Sequence, residues 1–336
     1  MNRADQATGR APNALWFALT AAGLLVILID RFAPTELPGG LDLPAWAARA
    51  GALAITTTYS FGLLARTGGP STLGGGMALV LGTAAVLSDR PILLAGAAVS
   101  TAVLAGVLAV MATKPAARFP RVVRECLIAA TVAVVGGFAT AAYGAQVSIE
   151  RLGFLAFALS LLGALGLVYR LGAGLHSLGR RGSIMLGVGV LVLLLGVAYT
   201  EALTRWGSAE LIAGIRDTTD LLRSTLGAVP SPLGVFVGFP ALAWGVLTRS
   251  RTRQGWWVCA FGAPALAMVA VSLVDPDRTL TQVGLSLGYS AALGLALGYL
   301  VIRVDQFLAG TRGRRARRLQ RASVRRPEPG RLQPLL

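Results

Sequence analysis

Side chains able to do chemistry are sparse in this sequence, and they gather at a few places. From Ser208 to Leu226, the residues Leu211, Ile212, Ile215, Leu222 and Leu226 fall along one helical stripe. Glu210, Arg216, Asp217, Asp220 and Arg223 occupy the rest of the surface, with Thr218 and Thr219 between. Apolar residues at this spacing mark an amphipathic helix, and Ser208 is a suitable N-cap. Arg216–Asp220 and Asp220–Arg223 are spaced for ion pairs on the helix surface. The plain reading is a helix lying in the outer interface and linking two spans. The sharper reading is an outer gate or docking surface, with Arg216, Asp217, Asp220 and Arg223 meeting a cation, a substrate or a partner protein. Two carboxylates beside two arginines cancel, which argues against a strong metal site.

The two apolar segments that follow carry the same four residues, Pro240 to Ala243 and Pro264 to Ala267, with Gly238 and Gly262 two residues earlier. Each proline removes a backbone donor and crowds the carbonyl four residues back, which would free the carbonyls of Phe236 and Ala260. Broken helices meeting at mid-membrane form the binding sites of many transporters. Prolines are also common in membrane helices, where neighbours repair the lost bond. Gly238, Pro240, Gly262 and Pro264 are therefore candidates for a hinge or a substrate path. Thr56, Tyr59 and Ser60 join them, because they share a helix face inside the most polar run of any span. Their alternative role is to bond back to their own helix or to tie two helices together.

Other patterns are weaker. Gly284-Leu285-Ser286-Leu287-Gly288 matches G-x-S-x-G, but a nucleophile elbow needs a strand-to-helix turn and a histidine. Ser286 lies in an apolar helix, and the only histidine, His176, falls on the opposite side. Gly284/Gly288 and Gly294/Gly298 read instead as close helix packing. Glycines and arginines around His176 could cradle an anion, although a solvated basic loop is the reading that accounts for them best. Nine arginines lie between Arg312 and Arg331, and a polybasic segment beside a span gains ~1 kcal/mol per charge from anionic lipid. Arg312, Arg314, Arg315, Arg317 and Arg318 are the expected lipid contacts. No aromatic follows Phe307, so bases would have nothing to stack on, and nucleic acid is not an expected partner. Cys126 and Cys259 lie in or at the edge of apolar spans and read as packing residues.

The elements that must position these residues follow from composition. Of 336 residues, 54% are hydrophobic and only 14% charged, against roughly 25% charged in an average soluble domain. Apolar blocks of about twenty residues match helices crossing ~30 Å of hydrocarbon. Ten such blocks can be drawn between residues 13 and 302. Span two is about 45–65, span three, the shortest, 72–88, span seven 183–200 and span eight 232–247. The fold class is therefore all-α: a polytopic transmembrane bundle of about ten spans. Residues 1–12 form a short tail, residues 201–230 carry the extracytoplasmic amphipathic segment, and 303–336 form a basic, disordered tail. The basic start and first apolar run resemble a signal peptide, but no small-x-small site follows Asp30-Arg31, so the helix is expected to be retained.

Loops on the N-terminal side hold 23 basic and 4 acidic residues, against 8 and 11 on the other side. Basic residues flanking spans favour the cytoplasm, so both termini are expected there. Tryptophans prefer the interface, and all of them fall at span ends: Trp16, Trp244, Trp256 and Trp257 inside, Trp46 and Trp206 outside. One lysine against thirty arginines points to a GC-rich bacterial genome and hence to the inner membrane.

Function is less legible. The acidic residues nearest the spans, Asp30, Glu125 and Glu201, lie within a turn of an end, whereas proton-driven carriers place ionisable groups inside. There is no zinc spacing, P-loop or aspartate-rich diphosphate motif, so no metal, cofactor or enzymatic activity is expected. Ten spans divisible as five plus five resemble drug/metabolite transporters in topology only. The leading expectation is a permease-like or flippase-like component moving a small or lipid-linked molecule. The alternative is an envelope scaffold with a protein partner at the outer helix, and a lipid-modifying enzyme comes third.

Overall fold

The computed structural model describes residues 3–32, 43–44, 46–171, 206–250, 255–308 and 329–335, with isolated positions between 187 and 198. Side chains at 3–13, 209, 211, 212, 216 and 308 are outside that description. The helices are α1 (Arg3–Phe32), α2 (Ala47–Thr67), α3 (Ser71–Ser88), α4 (Pro91–Met111), α5 (Phe119–Ala142) and α6 (Ile149–Arg170). They continue with α7 (Ala209–Leu226), a π-helical turn (Gly234–Gly238), α8 (Phe239–Arg249), α9 (Gly255–Ala260), α10 (Gly262–Val274) and α11 (Leu280–Leu308).

Among the described residues, seven helical stretches are long and apolar enough to cross a membrane, and they coincide with expected spans one, three to six, nine and ten. The chain is a multi-pass helical membrane protein. The short third span is among the seven. Expected spans two and eight are helical but fall outside this group. Helix α2 carries Thr56–Ser60 and two arginines, Arg49 and Arg66. The helical run Gly234–Arg249 is shorter than 18 residues, below the ~20 a crossing helix needs. Apart from the isolated positions between 187 and 198, span seven lies outside the described residues.

Alternate helices run in opposite directions, as short connections require. One end of the bundle, the proximal face, gathers the start of α1 with the ends of α2 and α4 and the start of α5. At the distal face, Asp89 closes α3 in a left-handed conformation (φ 50°) and pairs with Arg49 of α2 at 2.6 Å. Helix α10 is the axis: 72% of the Gly255–Val274 span is buried, against 17% for α3. Leu73, Met77, Val80, Leu81 and Leu87 of α3 are exposed, as a lipid-facing helix would have them.

Small residues let the helices close on the axis. A Cβ at Gly106 of α4 would stand 2.6 Å from the Ala263 carbonyl, and one at Gly137 of α5 would stand 3.0 Å from the Ala270 Cα. Gly23 of α1 and Gly51 of α2 cross the same way, each against the other's carbonyl. In α11, Gly294 and Gly298 pack against Phe239, Pro240 and Ala243 of α8, whereas Gly284 and Gly288 have nothing within 4 Å of an added Cβ. The expectation of close packing therefore holds for one pair and fails for the other.

Tryptophans at the proximal end do not sit in an exposed belt. Trp16, Trp256 and Trp257 are buried, while Trp46 and Trp206 at the distal end are exposed. Trp16 donates its indole N–H to the Thr58 carbonyl at 2.5 Å, so a protein acceptor replaces water. Most of the expected tail, 309–328, lies outside the described residues. Residues 303–308 continue α11, and 329–335 pack against the proximal face.

Candidate functional site

The site is built where the two proline segments cross. Pro240 would leave the Phe236 carbonyl without its donor, and the backbone answers by widening. Residues 234–238 form a π turn, and the Phe239 N–H donates to the Gly234 carbonyl five residues back. Pro240 then falls in the first turn of α8, where no amide donor is needed. Pro264 is answered by tightening. Phe261 N–H donates to the Val258 carbonyl at 3.2 Å, three residues back, α9 stops at Ala260, and α10 restarts at Gly262 with Pro264 in its first turn. Both helices are interrupted, by opposite changes of pitch.

The interruptions face each other. A side chain at Gly238 would collide with Ala265, and a Cβ at Gly262 would stand 3.4 Å from Leu242 and 3.5 Å from the Gly238 carbonyl. Gly238, Pro240, Gly262 and Pro264 are all buried at this crossing. Toward the distal face the helices diverge and leave a cavity of about 330 Å³. Phe239, Leu242, Leu266, Val269 and Leu287 supply its apolar wall, and Ser231, Ser272, Ser286 and Ser290 its hydroxyls. Thr219, Arg223, Asp275, Arg278 and Gln282 complete the lining.

Serines hold this wall in place. Ser286 Oγ donates to the Val229 carbonyl at 2.7 Å, the Ser231 N–H donates to Ser290 Oγ at 2.7 Å, and Ser290 Oγ donates to the Ser286 carbonyl at 2.6 Å. Residues 227–231 are thereby stapled to α11. Gly227 turns the chain out of α7 with φ 76°, and Tyr289 donates to the Leu226 carbonyl at 3.0 Å. Helix α7 thus lies at the cavity on its distal side. Ile215, Leu221 and Leu226 remain exposed, as an interfacial helix facing lipid requires.

The charges at the cavity are unequal. Arg278 pairs with Asp275 at 3.1 Å, and Arg223 reaches Asp220 only at 3.7 Å with both side chains exposed. Two arginines and one carboxylate line the cavity, so the lining is net positive.

Of the candidates from sequence, Gly238 and Arg223 come together in this cavity, with Pro240, Gly262 and Pro264 behind its floor. Asp217 and Asp220 are exposed on α7, and the Arg216 side chain lies outside the described residues. So do Arg312, Arg314, Arg315, Arg317 and Arg318. Thr56, Tyr59 and Ser60 do not line the cavity. Thr56 Oγ1 bonds the Ala52 carbonyl at 2.9 Å and the Thr101 and Tyr143 hydroxyls at 2.7 and 3.0 Å. Tyr59 donates to the Val132 carbonyl at 2.8 Å, and Ser60 to the Gly74 carbonyl at 3.0 Å. All three tie α2 to its neighbours.

Ser231, Ser290 and Arg278 were not singled out by the sequence. The spacing of Ser286 and Ser290 at i, i+4 on one face of α11 was the available signal. Among the described residues, no group of three or more His, Cys, Asp and Glu side chains is placed to hold a metal ion. Comparison with known family models, curated proteins and solved structures finds no match for the chain.

Proposed function

We propose that this protein is a permease-like or flippase-like component of the inner membrane, moving a small amphipathic molecule with an anionic head. The observation that carries this reading is the distal cavity, walled by apolar side chains and serines and lined on its charged side by Arg223 and Arg278. Apolar walls with a few placed polar groups are the usual composition of a small-molecule site. An anionic head would meet the arginines, while an apolar tail would lie against Leu242, Leu266 and Leu287.

Motion has an available hinge. Helices α8 and α10 touch through Gly238, Gly262 and Ala265, and each is already interrupted at that level. Leu242 packs over Gly262, and the small residues beside it give the two segments a close backbone contact on which to pivot. Energy coupling by a proton relay fits poorly, because the one carboxylate at the cavity, Asp275, is paired with Arg278.

The test is trans-bilayer movement of a fluorescent anionic phospholipid in vesicles containing the purified protein, with a zwitterionic probe as control. Movement above that of protein-free vesicles is expected, greater for the anionic probe, and slowed when Ser290→Leu fills the cavity. Equal rates with and without protein would remove the reading. The scaffold alternative would then lead, supported by the exposed Ile215, Leu221 and Leu226 on α7.

A further inference from the structure

At the proximal face, residues 329–335 occupy a cleft between the ends of α2 and α4 and the start of α5, close to Trp16 of α1. We propose that this cleft is a peptide-binding site, that the chain's own segment 329–335 is its releasable ligand, and that docking clamps the inner end of the cavity helix α8.

The contacts are those of a bound peptide rather than of a passing loop. Arg331 is the anchor: its guanidinium takes both oxygens of Glu125, at 2.6 and 2.8 Å, and the Ala112 carbonyl at 2.7 Å. Glu125 is buried and receives a third bond, from the Lys114 N–H at 2.8 Å. Arg66, fully buried, donates to the Gly330 carbonyl at 2.7 Å and to the Met111 carbonyl at 3.0 Å, and its own carbonyl accepts the Leu335 N–H at 3.1 Å. Leu332 packs toward Trp16 and Gly62, where a larger residue than glycine would take its space. The ligand is also pre-shaped, since Gly330 and Gln333 bond each other twice, at 2.7 and 3.1 Å. Glu125, left buried without its partner if Arg331 departs, gives the cleft its specificity for an arginine-bearing peptide.

Release is built into the connection. Twenty residues, 309–328, join α11 to the docked segment, and eight of them are arginines. Attraction of that linker to anionic lipid competes with docking.

Docking reaches the cavity through the loop between α4 and α5. Arg331 holds Ala112 from one side. From the other, Arg249 at the end of α8 holds the next residue, donating to Thr113 Oγ1 and O at 2.7 and 3.0 Å, while the Ala116 N–H meets the Val246 carbonyl at 3.3 Å. The clamp on α8 rests on this geometry and not on the cavity carrying a substrate, so either idea can fail alone.

The test uses the full chain with Pro334→Cys, at an exposed position of the docked segment, carrying a nitroxide, Cys126 and Cys259 being buried and so withheld from the reagent. In nanodiscs holding one copy, an immobile spectrum is expected. An excess of the synthetic peptide covering 329–336 should convert it to a mobile one, and the same peptide with Arg331→Ala should compete at least about tenfold less well. Glu125→Arg should free the label, and Glu125→Arg with Arg331→Glu should restore it. Deuterium uptake at 112–118 and 246–250 should rise whenever the label is freed. A mobile label on the parent chain, or no competition by the peptide, overturns the binding site. Uptake unchanged on release overturns the clamp on α8. Because peptide competition uses the unsubstituted cleft, a variant that fails to fold does not decide the matter.

Discussion

At the proximal face, Arg66, Arg249, Arg331 and Glu125 are brought in from four segments and every one of them is held by backbone or side-chain partners. At the distal face, Arg223 meets its carboxylate at 3.7 Å with both groups exposed, and the serines bond backbone while leaving open space beside them. One end of the bundle is filled and held by buried charge, while around the cavity at the other end the contacts are serine hydroxyls and partly exposed ion pairs beside open space. The lesson is one of dielectric. A buried charge must be fully partnered or it costs several kcal/mol, so proximal arginines commit the helices to one arrangement. A few hydroxyl bonds and exposed ion pairs commit the helices around the cavity far less.

The contrast can be broken or sharpened by substitution, taking stability as reversible unfolding in mixed micelles. Gly106→Leu should cost the most, about 3 kcal/mol or more, because its Cβ would press on the Ala263 backbone rather than on a flexible side chain. Arg249→Met should follow, with a loss of about 2–3 kcal/mol, since it removes two charged bonds to Thr113 and the stacking of the guanidinium on Trp256 at 3.4 Å. Ser290→Ala at the distal face should cost only about 1 kcal/mol. Arg223→Ala should change stability by less than about 0.5 kcal/mol while removing the preference for an anionic probe. Gly284→Ala with Gly288→Ala should be neutral or slightly stabilising, gaining up to about 1 kcal/mol per site in helix propensity. Should the distal substitutions cost as much as Arg249→Met, the two faces are equally locked and the contrast is lost.

The interruptions were legible because proline has a fixed consequence for the donor it lacks. Their form was not. Pro240 produces a widened turn and Pro264 a tightened one, although the four residues from each proline onward are the same. The difference lies in what packs there: Ser290 of α11 stands against Gly234, while Phe261 is buried at the break before α10. The Thr56–Ser60 run was legible as polar, but whether it faces a path or a neighbour depends on Thr101, Tyr143 and Val132, which are 45, 87 and 73 residues away in sequence from their partners.

Sequence by itself determined that the chain is a helical membrane protein, because twenty-residue apolar blocks have few other ways to satisfy their backbone in lipid. It also marked 201–274 as unusual. Only the tertiary structure decided that Gly238 and Arg223 share a cavity while Thr56 and Tyr59 do not. The same holds for Arg331, whose pairing with Glu125 no spacing in the sequence announces. A charge on a list carries no address; the address is given by which carboxylate the folded helices leave buried and waiting for it.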